Sequence, residues 1–532
     1  MKPWTALAAL AATAGTLAAL SSAPSALAQA PKRGGTLVFA VSAEPPNYDC
    51  HANDSFAFIH PVRPEYSTLL KFDPFAYPKI VGDLAQSWSV AKDGLAYTFK
   101  LHKGVKFHDG STLTSEDIKA SYERIRNPPP GVKSLRKAVY ADIEAIDTPA
   151  PDTVVFRLKK KNVSMMANFA SPWNCIYSAA KLKQDPRWPE RNIMGTGAFQ
   201  FVEHVAGSHF AGKRFEQYRD KGKPYLEGFR AVFISGAPMV NALSSGKVLA
   251  EFRGQSPADR DRIVGSLGDK AEVQESPWVC SLVVTFNTRK KPFDDARVRR
   301  ALNLAIDRWA GSQALSKIAL VREVGGLLRP GYDLAASTRE IESLPGFRRN
   351  MDQNRAEARK LLVEAGQTGM SLTLTNRNVK MPYESVGVFL IDQWRQIGVN
   401  VKHEQLETRL YLAAQQKDNA TYDAALDFNC DYNDEPNLQL AKYLSPARSS
   451  HNYSGFGNPK LDELYERQSA EFDRNKRYAL LREFESLVLE DAFIVPTIWW
   501  HRIIVHDKRM KGWKITPSHY LNQDLVNVWL DQ

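Results

Sequence analysis

The sequence predicts an α/β protein in which helices alternate with strands. A helix capped by Asp352 and stopped by Gly366 precedes an alternating strand at Leu372 and Leu374, and a second helix, stopped by Gly398, precedes another strand. Helix alternating with strand indicates parallel sheets that are covered on both faces. Such sheets bind ligands beyond the carboxyl ends of their strands, so the site is expected there.

The stretch from Val81 to Arg126 predicts a hairpin, a strand and a capped helix. Asp93-Gly94 tolerates the positive φ that a tight turn needs. Apolar and polar residues then alternate over 97–102, which is typical of a strand with one buried face. Thr114 and Asp117 have the spacing of a capping box, with Asp in place of the usual Glu.

The N-terminal residues 1–28 are predicted to be a signal peptide. Lys2 supplies a positive charge, residues 7–20 form an Ala/Leu-rich apolar run, and Ala26-Leu27-Ala28 matches an A-x-A cleavage site. No cysteine precedes Cys50 that could accept a lipid anchor. No later apolar run reaches the roughly 18 residues that a membrane span needs. We therefore expect an exported, periplasmic protein without a lipid anchor.

Chain length limits the number of domains, and the distribution of charge limits the kinds of partner. A chain of 532 residues has room for roughly two to four domains. The net charge is +11, but the basic clusters are scattered and carry no nucleic-acid motif. We therefore interpret them as solvated surface and expect no nucleic-acid partner.

Residues 292–309 predict one amphipathic helix. Asp294 and Asp295 stand at its start, where the helix dipole favours negative charge. The positions from Val298 to Trp309 supply an apolar face at helical spacing.

In several stretches, the exact residues indicate more than the pattern of apolar and polar positions does. These stretches are Leu84-Ala85-Gln86-Ser87-Trp88, Asp93-Gly94, Tyr97-Thr98-Phe99, Gly104-Val105-Lys106-Phe107-His108-Asp109-Gly110 and Phe293-Asp294-Asp295-Ala296-Arg297-Val298-Arg299-Arg300-Ala301-Leu302-Asn303. They resemble blocks shared by the family 5 solute-binding proteins, which are the extracytoplasmic receptors of peptide and nickel ABC importers. The resemblance covers essentially all of the chain after the signal peptide.

This resemblance implies a two-lobed, periplasmic-binding-protein-like fold of type II, the large class with an extra subdomain in lobe I. Lobe I is expected to comprise residues 29–67, 196–290 and 504–532, with 68–195 as its inserted subdomain, and lobe II to comprise residues 291–503. The lobes would close around a solute. The closed monomer would then deliver the solute to a membrane permease, and no cofactor is expected.

Two short stretches depart from known sequence patterns. Tyr48-Asp49-Cys50-His51 stands where the family usually has Leu-Asp-Pro-His. Gly195-Thr196-Gly197 lacks the third glycine of a dinucleotide-binding loop. It instead resembles the turn by which the family's chain returns from the inserted subdomain to lobe I.

The candidate ligand residues follow the strand at 422–428. In peptide-binding relatives, an aspartate at the place of Asp431 pairs with the ligand's α-ammonium, and such a charge-assisted hydrogen bond is strong in a partly desolvated site. Asn429 enters the same crevice, and Phe428 occupies the place of an aromatic wall. The alternatives are a turn-capping aspartate and a buried sheet aromatic.

The carboxylate end of a peptide is bound in relatives by a basic residue after the strand that contains Leu374. Arg377 and Lys380 are the candidates in this chain. An arginine holds a carboxylate at two points and a lysine only as a point charge. Solvated side chains are the alternative for both.

Other functions stay open at this point. The family also includes receptors for nickel, haem, oligosaccharides and opines, and Cys50-His51 is a possible soft ligand pair, although two residues do not make a metal site. The sequence has no G-x-S-x-G, H-E-x-x-H, P-loop or EF-hand motif, and we expect no enzyme. An exported hydrolase is the alternative of another class.

The chain has four cysteines and no C-x-x-C motif. Four cysteines allow three pairings, and the residues alone do not choose among them. Some oligopeptide-binding relatives have a disulfide between the neighbourhoods of Cys280 and Cys430, so the resemblance implies that pair. Cys50 and Cys175 then remain for each other.

Overall fold

The structure is a computed structural model that describes Met1, residues 30–415 and residues 420–532, with the side chains of Lys380 and Arg409 left outside that description. The predicted signal peptide therefore lies outside the described residues, apart from Met1. Within the described ranges, no helix is both long enough and apolar enough to cross a membrane.

Helices and strands alternate over residues 351–430, as the sequence predicts, whereas four strands follow one another over residues 70–101. The strands are β1 (Thr36–Val41), β2 (Leu70–Phe72), β3 (Ile80–Gly82), β4 (Ala85–Val90), β5 (Ala96–Leu101), β6 (Ile143–Ala150), β7 (Thr153–Leu158), β8 (Phe199–Val205), β9 (His209–Arg214), β10 (Gly228–Phe233), β11 (Ala250–Glu251), β12 (Ala271–Phe286), β13 (Val321–Glu323), β14 (Ser371–Arg377), β15 (Asn400–Leu406), β16 (Ala424–Cys430), β17 (Ile494–Asp507), β18 (Met510–Lys511) and β19 (Trp529–Leu530). The α-helices are α1 (Phe56–Val62), α2 (Ser115–Arg126), α3 (Met165–Phe169), α4 (Ala179–Gln184), α5 (Gly236–Ser244), α6 (Pro257–Leu267), α7 (Ala296–Leu304), α8 (Arg308–Leu315), α9 (Thr338–Ser343), α10 (Met351–Glu364), α11 (Ser385–Arg395), α12 (Thr408–Gln415), α13 (Pro436–Leu440), α14 (Pro459–Ala470) and α15 (Arg474–Asp491).

Lobe I is organised around a five-stranded sheet in the order β11-β1-β10-β9-β8. β1 runs parallel to β10 and β11, whereas β9 is antiparallel to both of its neighbours. The buried cluster at this sheet draws on both ends of the chain, because Leu37 and Phe39 belong to it together with Val528 and Leu530. Lobe I is therefore discontinuous in sequence.

The inserted subdomain has its own antiparallel sheet, β4-β5-β7-β6, and its own hydrophobic cluster. The predicted alternation is confirmed, since Tyr97, Phe99 and Leu101 of β5 are buried. The predicted capping box of α2 is also confirmed, because the Thr114 backbone N–H donates to Asp117 Oδ2 (2.8 Å).

Lobe II is organised around a six-stranded sheet in the order β13-β17-β12-β16-β14-β15. The expectation of a parallel sheet is only partly right. β14 is parallel to β15 and β16, but β12 is antiparallel to β16 and β17, and β13 is antiparallel to β17. The difference arises because β12 and β17 are long strands that extend from lobe II to lobe I.

The predicted helix over 292–309 is two helices. Asp295 caps α7 by accepting from the Arg297 backbone N–H (2.8 Å), and Asp307 caps α8 by accepting from the Ala310 N–H (3.0 Å). Arg308 fixes the break, since its guanidinium donates to the carbonyl of Pro496 (2.8 Å). The second capping aspartate explains why a continuous apolar spacing does not give a continuous helix here.

The paired strands β12 and β17 connect the lobes. Their register runs from Ala271 opposite Asp507 to Thr285 opposite Ile494, with register shifts between Pro277 and Ser281 and between Ser281 and Val283. At the lobe I end, the Asp507 backbone N–H donates to the Leu249 carbonyl (2.8 Å). These strands are where the chain passes between lobes, and the individual segment boundaries given above stay predictions.

The Gly195-Thr196-Gly197 turn packs directly on the backbone that ends at Glu65. A Cβ on Gly197 would lie 2.3 Å from the Glu65 carbonyl carbon, and one on Gly195 would lie 2.2 Å from the Glu65 carbonyl oxygen. The Gly197 N–H donates to that same oxygen (3.0 Å). Both glycines are therefore explained by close backbone contact, without any nucleotide.

Candidate ligand-binding site

The residues after β16 form a loop between the lobes, which we call the bridging loop (residues 431–435). The Asp431 backbone N–H donates to the Val279 carbonyl of β12 (3.1 Å), on the side of lobe II. The next residue, Tyr432, belongs to the buried cluster of lobe I. Cys430, just before the loop, is bonded to Cys280 directly across the β12–β16 ladder. The loop is thus anchored to both lobes at the carboxyl end of β16.

Asp431 holds a carboxylate that has little water around it. Burial raises its pKa to about 7, and the Tyr432 backbone N–H (2.7 Å) and the charge of Arg136 only partly oppose this shift. Among the described residues, no basic side chain forms an ion pair with Asp431. A carboxylate in this environment gains from a cationic partner, because such a partner offsets the cost of removing the charge from water.

Phe428 and Asn429 point to opposite faces of β16. Phe428 packs against the large lobe II cluster, and the Arg377 guanidinium lies 5.6 Å from its ring centre. The Asn429 amide donates to the Gln439 carbonyl (2.9 Å) and so holds α13 against the strand. A ligand contact by either residue stays a prediction.

Arg377 ends β14, which lies beside β16 in the sheet. Its guanidinium donates to the Tyr383 hydroxyl (3.0 Å) and to Thr408 Oγ1 (3.2 Å), both of them uncharged partners. Its Nε has no hydrogen-bond partner in the described part of the chain. Lys380 lies in the following turn, Lys380–Glu384, and its side chain is outside the described structure.

A row of aromatic rings, which we call the aromatic wall, connects Arg377 in lobe II with Arg136 in lobe I. Neighbouring ring centres in this row are 3.8 to 6.0 Å apart. The buried Trp500 indole N–H has no hydrogen-bond partner among the described residues, so it is available to a ligand. From lobe II to lobe I, the aromatic wall consists of Tyr383, Trp500, Trp278, His519, Tyr520 and Trp173.

Arg136 stands at the lobe I end of the aromatic wall. Its guanidinium lies 4.6 Å from the Trp173 ring centre and donates to the Asn53 carbonyl (2.8 Å). Burial lowers the pKa of Arg136, and the nearby charges of Asp54 and Asp431 oppose that shift. No local pattern of residues pointed to Arg136 or to the aromatic wall, because these residues come from segments far apart in the chain.

The bridging loop also carries contacts between the inserted subdomain and lobe II. The Tyr77 hydroxyl donates to Asp434 Oδ2 (2.7 Å), and the Ser164 hydroxyl donates to Glu435 Oε1 (2.6 Å). Arg329 of lobe II holds the same Asp434 carboxylate at two points (2.6 and 2.9 Å). The bridging loop therefore carries both the candidate ligand anchor Asp431 and a set of contacts between the inserted subdomain and lobe II. These contacts exist only when the subdomain and lobe II are close together.

The Cys50-His51 pair does not offer a soft metal site. Cys50 is bonded to Cys175, so it has no thiolate to donate. His51 is buried and in contact with the Cys175 carbonyl (3.0 Å), and burial together with the charge of Arg124 lowers its pKa to about 3. In the described ranges, no three His, Cys, Asp or Glu side chains lie close enough together to hold a metal ion.

A separate crevice of about 280 Å³ lies between lobe I and the inserted subdomain. Four of its charged side chains are paired with each other. Arg219 pairs with Asp83 (2.5 Å) and Lys71 with Asp524 (2.6 Å). The crevice therefore leaves less unpaired charge for a ligand than the region around Asp431 and Arg377.

Two lobes joined by a strand pair, with unpaired charges of both signs between them, define a solute-binding protein that closes on its ligand. The family comparison agrees with this class. The family model described as "Bacterial extracellular solute-binding proteins, family 5 Middle" matches residues 79–451. The chain belongs to this family, and it is a family 5 solute-binding receptor of ABC importers.

Relatives with established names extend over most of the chain. The glutathione-binding protein GsiB of Pectobacterium atrosepticum is 25% identical over 467 residues, which cover 85% of this chain and 86% of that protein. The periplasmic binding protein DppA from Helicobacter pylori, solved with the peptide STSA, has a TM-score of 0.78 at 21% identity, over 94% of this chain and 99% of that one. AgaA from A. tumefaciens R10, solved with agropinic acid, has a TM-score of 0.77 at 24% identity, over the same shares. The two structural likenesses establish the fold.

Proposed function

We propose that this receptor captures a short peptide whose α-ammonium pairs with Asp431. The observation that carries the proposal is the Asp431 carboxylate, which is partly buried, raised in pKa to about 7 and without an ion-pair partner among the described residues. The ligand's cation would supply the missing partner. The peptide found with DppA and the glutathione named for GsiB support this class of ligand.

We place the protein in the periplasm as a monomer that has lost residues 1–28. It binds its solute without catalysing a reaction and without a cofactor or nucleic acid. Closure of the lobes then presents the loaded receptor to the membrane permease. The segments of lobe I and lobe II are taken to follow the boundaries predicted from the sequence, except that residues 278–286 of β12 pack in the lobe II cluster.

A second ligand class has one observation in its favour. AgaA, whose fold matches this chain, was solved with agropinic acid. A non-peptide solute such as an opine is therefore the alternative ligand of the same cleft. Mass spectrometry of the small molecule released from the purified protein separates peptides from such solutes.

Calorimetry with the tripeptide Ala-Ala-Ala tests the role of Asp431. Asp431→Asn is expected to weaken binding about 10- to 100-fold, because it removes a charge-assisted hydrogen bond worth about 1.5–3 kcal/mol. Asp261→Asn is the matched control, since Asp261 is exposed on α6 and pairs with its neighbour Arg260 (2.9 Å). Equal affinity of Asp431→Asn and the native protein would show that Asp431 does not bind the amine.

The pH dependence of binding gives an independent check. Only the ionised carboxylate attracts the ammonium, and the Asp431 pKa is about 7 in the unliganded protein. Affinity for Ala-Ala-Ala should therefore fall about tenfold for each pH unit below about pH 6. N-acetylation of the peptide should abolish this dependence together with most of the affinity.

A further inference from the structure

His501 lies on β17 where the chain passes from one lobe to the other. Its neighbour Trp500 belongs to the large buried cluster of lobe II, whereas Ile504 on the same strand belongs to the buried cluster of lobe I. On β12, Trp278 already packs in lobe II, and it follows Pro277, which lies opposite His501. A rotation of one lobe against the other must therefore bend the strand pair around His501.

Both ring nitrogens of His501 face a carboxylate. Nδ1 lies 2.8 Å from Glu323 Oε1, and Nε2 lies 3.0 Å from Glu275 Oε2. The side chain is buried, so water has little access to either contact. A neutral imidazole has one donor and one acceptor nitrogen, an imidazolium has two donors, and an ionised carboxylate only accepts. The protonated ring therefore satisfies both contacts, and the neutral ring satisfies one.

The two carboxylates belong to different parts of the crossing. Glu323 lies on β13 at the edge of the lobe II sheet, and Glu275 lies on β12. The Glu275 carboxylate also accepts from Arg322 of β13 (2.8 Å) and from Arg260 of α6 (3.5 Å). Arg260 pairs in addition with Asp261 beside it (2.9 Å), and α6 packs in lobe I. The Glu275 carboxylate therefore connects α6 of lobe I with β13 of lobe II.

The charges of this cluster balance when His501 is protonated. Burial raises the pKa of Glu275, but the hydrogen bonds from His501 and Arg322 outweigh burial and lower that pKa overall, so Glu275 is ionised. Glu323 Oε2 has no hydrogen-bond partner among the described residues, so the contact with His501 is what holds this carboxylate. Three cations then face three carboxylates, namely His501, Arg260 and Arg322 against Glu275, Glu323 and Asp261.

We propose that His501 is a pH-sensitive clamp between the lobes, and that its protonation stabilises the closed arrangement. The lobes are together in this structure, since the Tyr77 hydroxyl donates to Asp434 Oδ2 (2.7 Å). In this arrangement the proton is held between Glu275 and Glu323. Opening bends β12 and β17 and separates the two carboxylates, so the open arrangement holds the proton less tightly.

The sign of the pH dependence follows from linkage between the proton and closure. The closed arrangement binds the proton more tightly than the open one, so closure is favoured in mild acid and is lost as the pH rises. Histidine is the side chain that ordinarily changes charge between about pH 5 and about pH 8, and buried histidines switch interfaces in this range. The clamp responds to the pH of the surroundings whatever the ligand is.

Double electron–electron resonance between two spin labels tests the clamp without a ligand. Val90 of the inserted subdomain and Val363 of α10 in lobe II are both exposed, so labels on Val90→Cys and Val363→Cys report the distance between the two parts. The four native cysteines are joined in two disulfides and do not take a label. The ratio of closed to open protein should fall at least about fivefold between about pH 6 and about pH 8. His501→Gln should abolish this change, because glutamine does not titrate.

Two further variants complete the test. Glu323→Gln keeps the histidine but removes one carboxylate, so the change in ratio should shrink to less than about twofold. His209→Gln is the matched control and should keep the native dependence, because His209 contacts the Glu203 carboxylate (2.9 Å) on the neighbouring strand within lobe I. A distance distribution that does not change with pH in the native protein, or an unchanged dependence in both His501→Gln and Glu323→Gln, overturns the clamp. Neither outcome bears on the proposed function, because no ligand is present.

Discussion

Removal of the contact between Tyr77 and Asp434 tests whether closure of the lobes controls the rate of ligand release. The Tyr77 hydroxyl donates to Asp434 Oδ2 (2.7 Å) and accepts from the Asp434 backbone N–H (3.1 Å). Tyr77→Phe removes both bonds when the lobes are closed, whereas water satisfies the same groups when they are open. Loss of a bond to a charged group costs about 1.5–3 kcal/mol, so the closed state should become about 10- to 100-fold less favoured.

Because ligand leaves only after opening, this change should appear mainly as faster dissociation. Stopped-flow tryptophan fluorescence measures that rate directly, since three tryptophans belong to the aromatic wall. Tyr478→Phe is the matched control, because the Tyr478 hydroxyl donates to Glu340 Oε2 (2.6 Å) within lobe II. The control should alter thermal stability and not dissociation. A dissociation rate that changes less than about twofold in Tyr77→Phe would refute a role for this contact in closure.

Two further predictions concern stability. Burial raises the pKa of the Glu65 carboxyl well above its usual range, so the folded protein holds this proton above the pH at which the unfolded chain loses it, and stability falls as pH rises through that window. Glu65→Gln should therefore flatten the decline as pH rises above the pKa of the unfolded carboxyl, and an unchanged slope in denaturant titrations would contradict the assignment. Gly197→Ala should destabilise by about 2 kcal/mol or more because its Cβ meets backbone atoms, whereas Gly265→Ala, inside α6 with open space around it, should stabilise by about 0.5–1 kcal/mol. Equal melting temperatures for these two variants would count against the close contact at Gly197.

The features that the sequence predicts well are local ones. The alternation of β5 and the capping box of α2 depend on neighbouring residues, and both are confirmed. The place of Asp431 follows from a strand that ends just before it. The structure also pairs Cys280 with Cys430 across adjacent strands, as the resemblance implies.

The features that the sequence does not reveal depend on long-range contacts. The directions of β12 and β17 follow from their passage between the lobes. No local pattern in the sequence indicates that these two strands cross from one lobe to the other. The pairing of Tyr77 with Asp434 joins residues from different parts of the fold.

The buried cluster of lobe I contains residues from both ends of the chain, and this constrains the order in which the protein folds. A chain made from its N-terminus presents Leu37 and Phe39 first, but their partners Val528 and Leu530 are synthesised last. Lobe II residues, which are nearly contiguous, can meet before synthesis ends. Contacts of such long sequence separation form late, because their loop-closure cost precedes any gain from packing. The first strand can pair with β10 and β11 earlier, but its buried cluster stays incomplete until the final residues arrive. Loss of the last few residues should therefore destabilise the packing around the first strand.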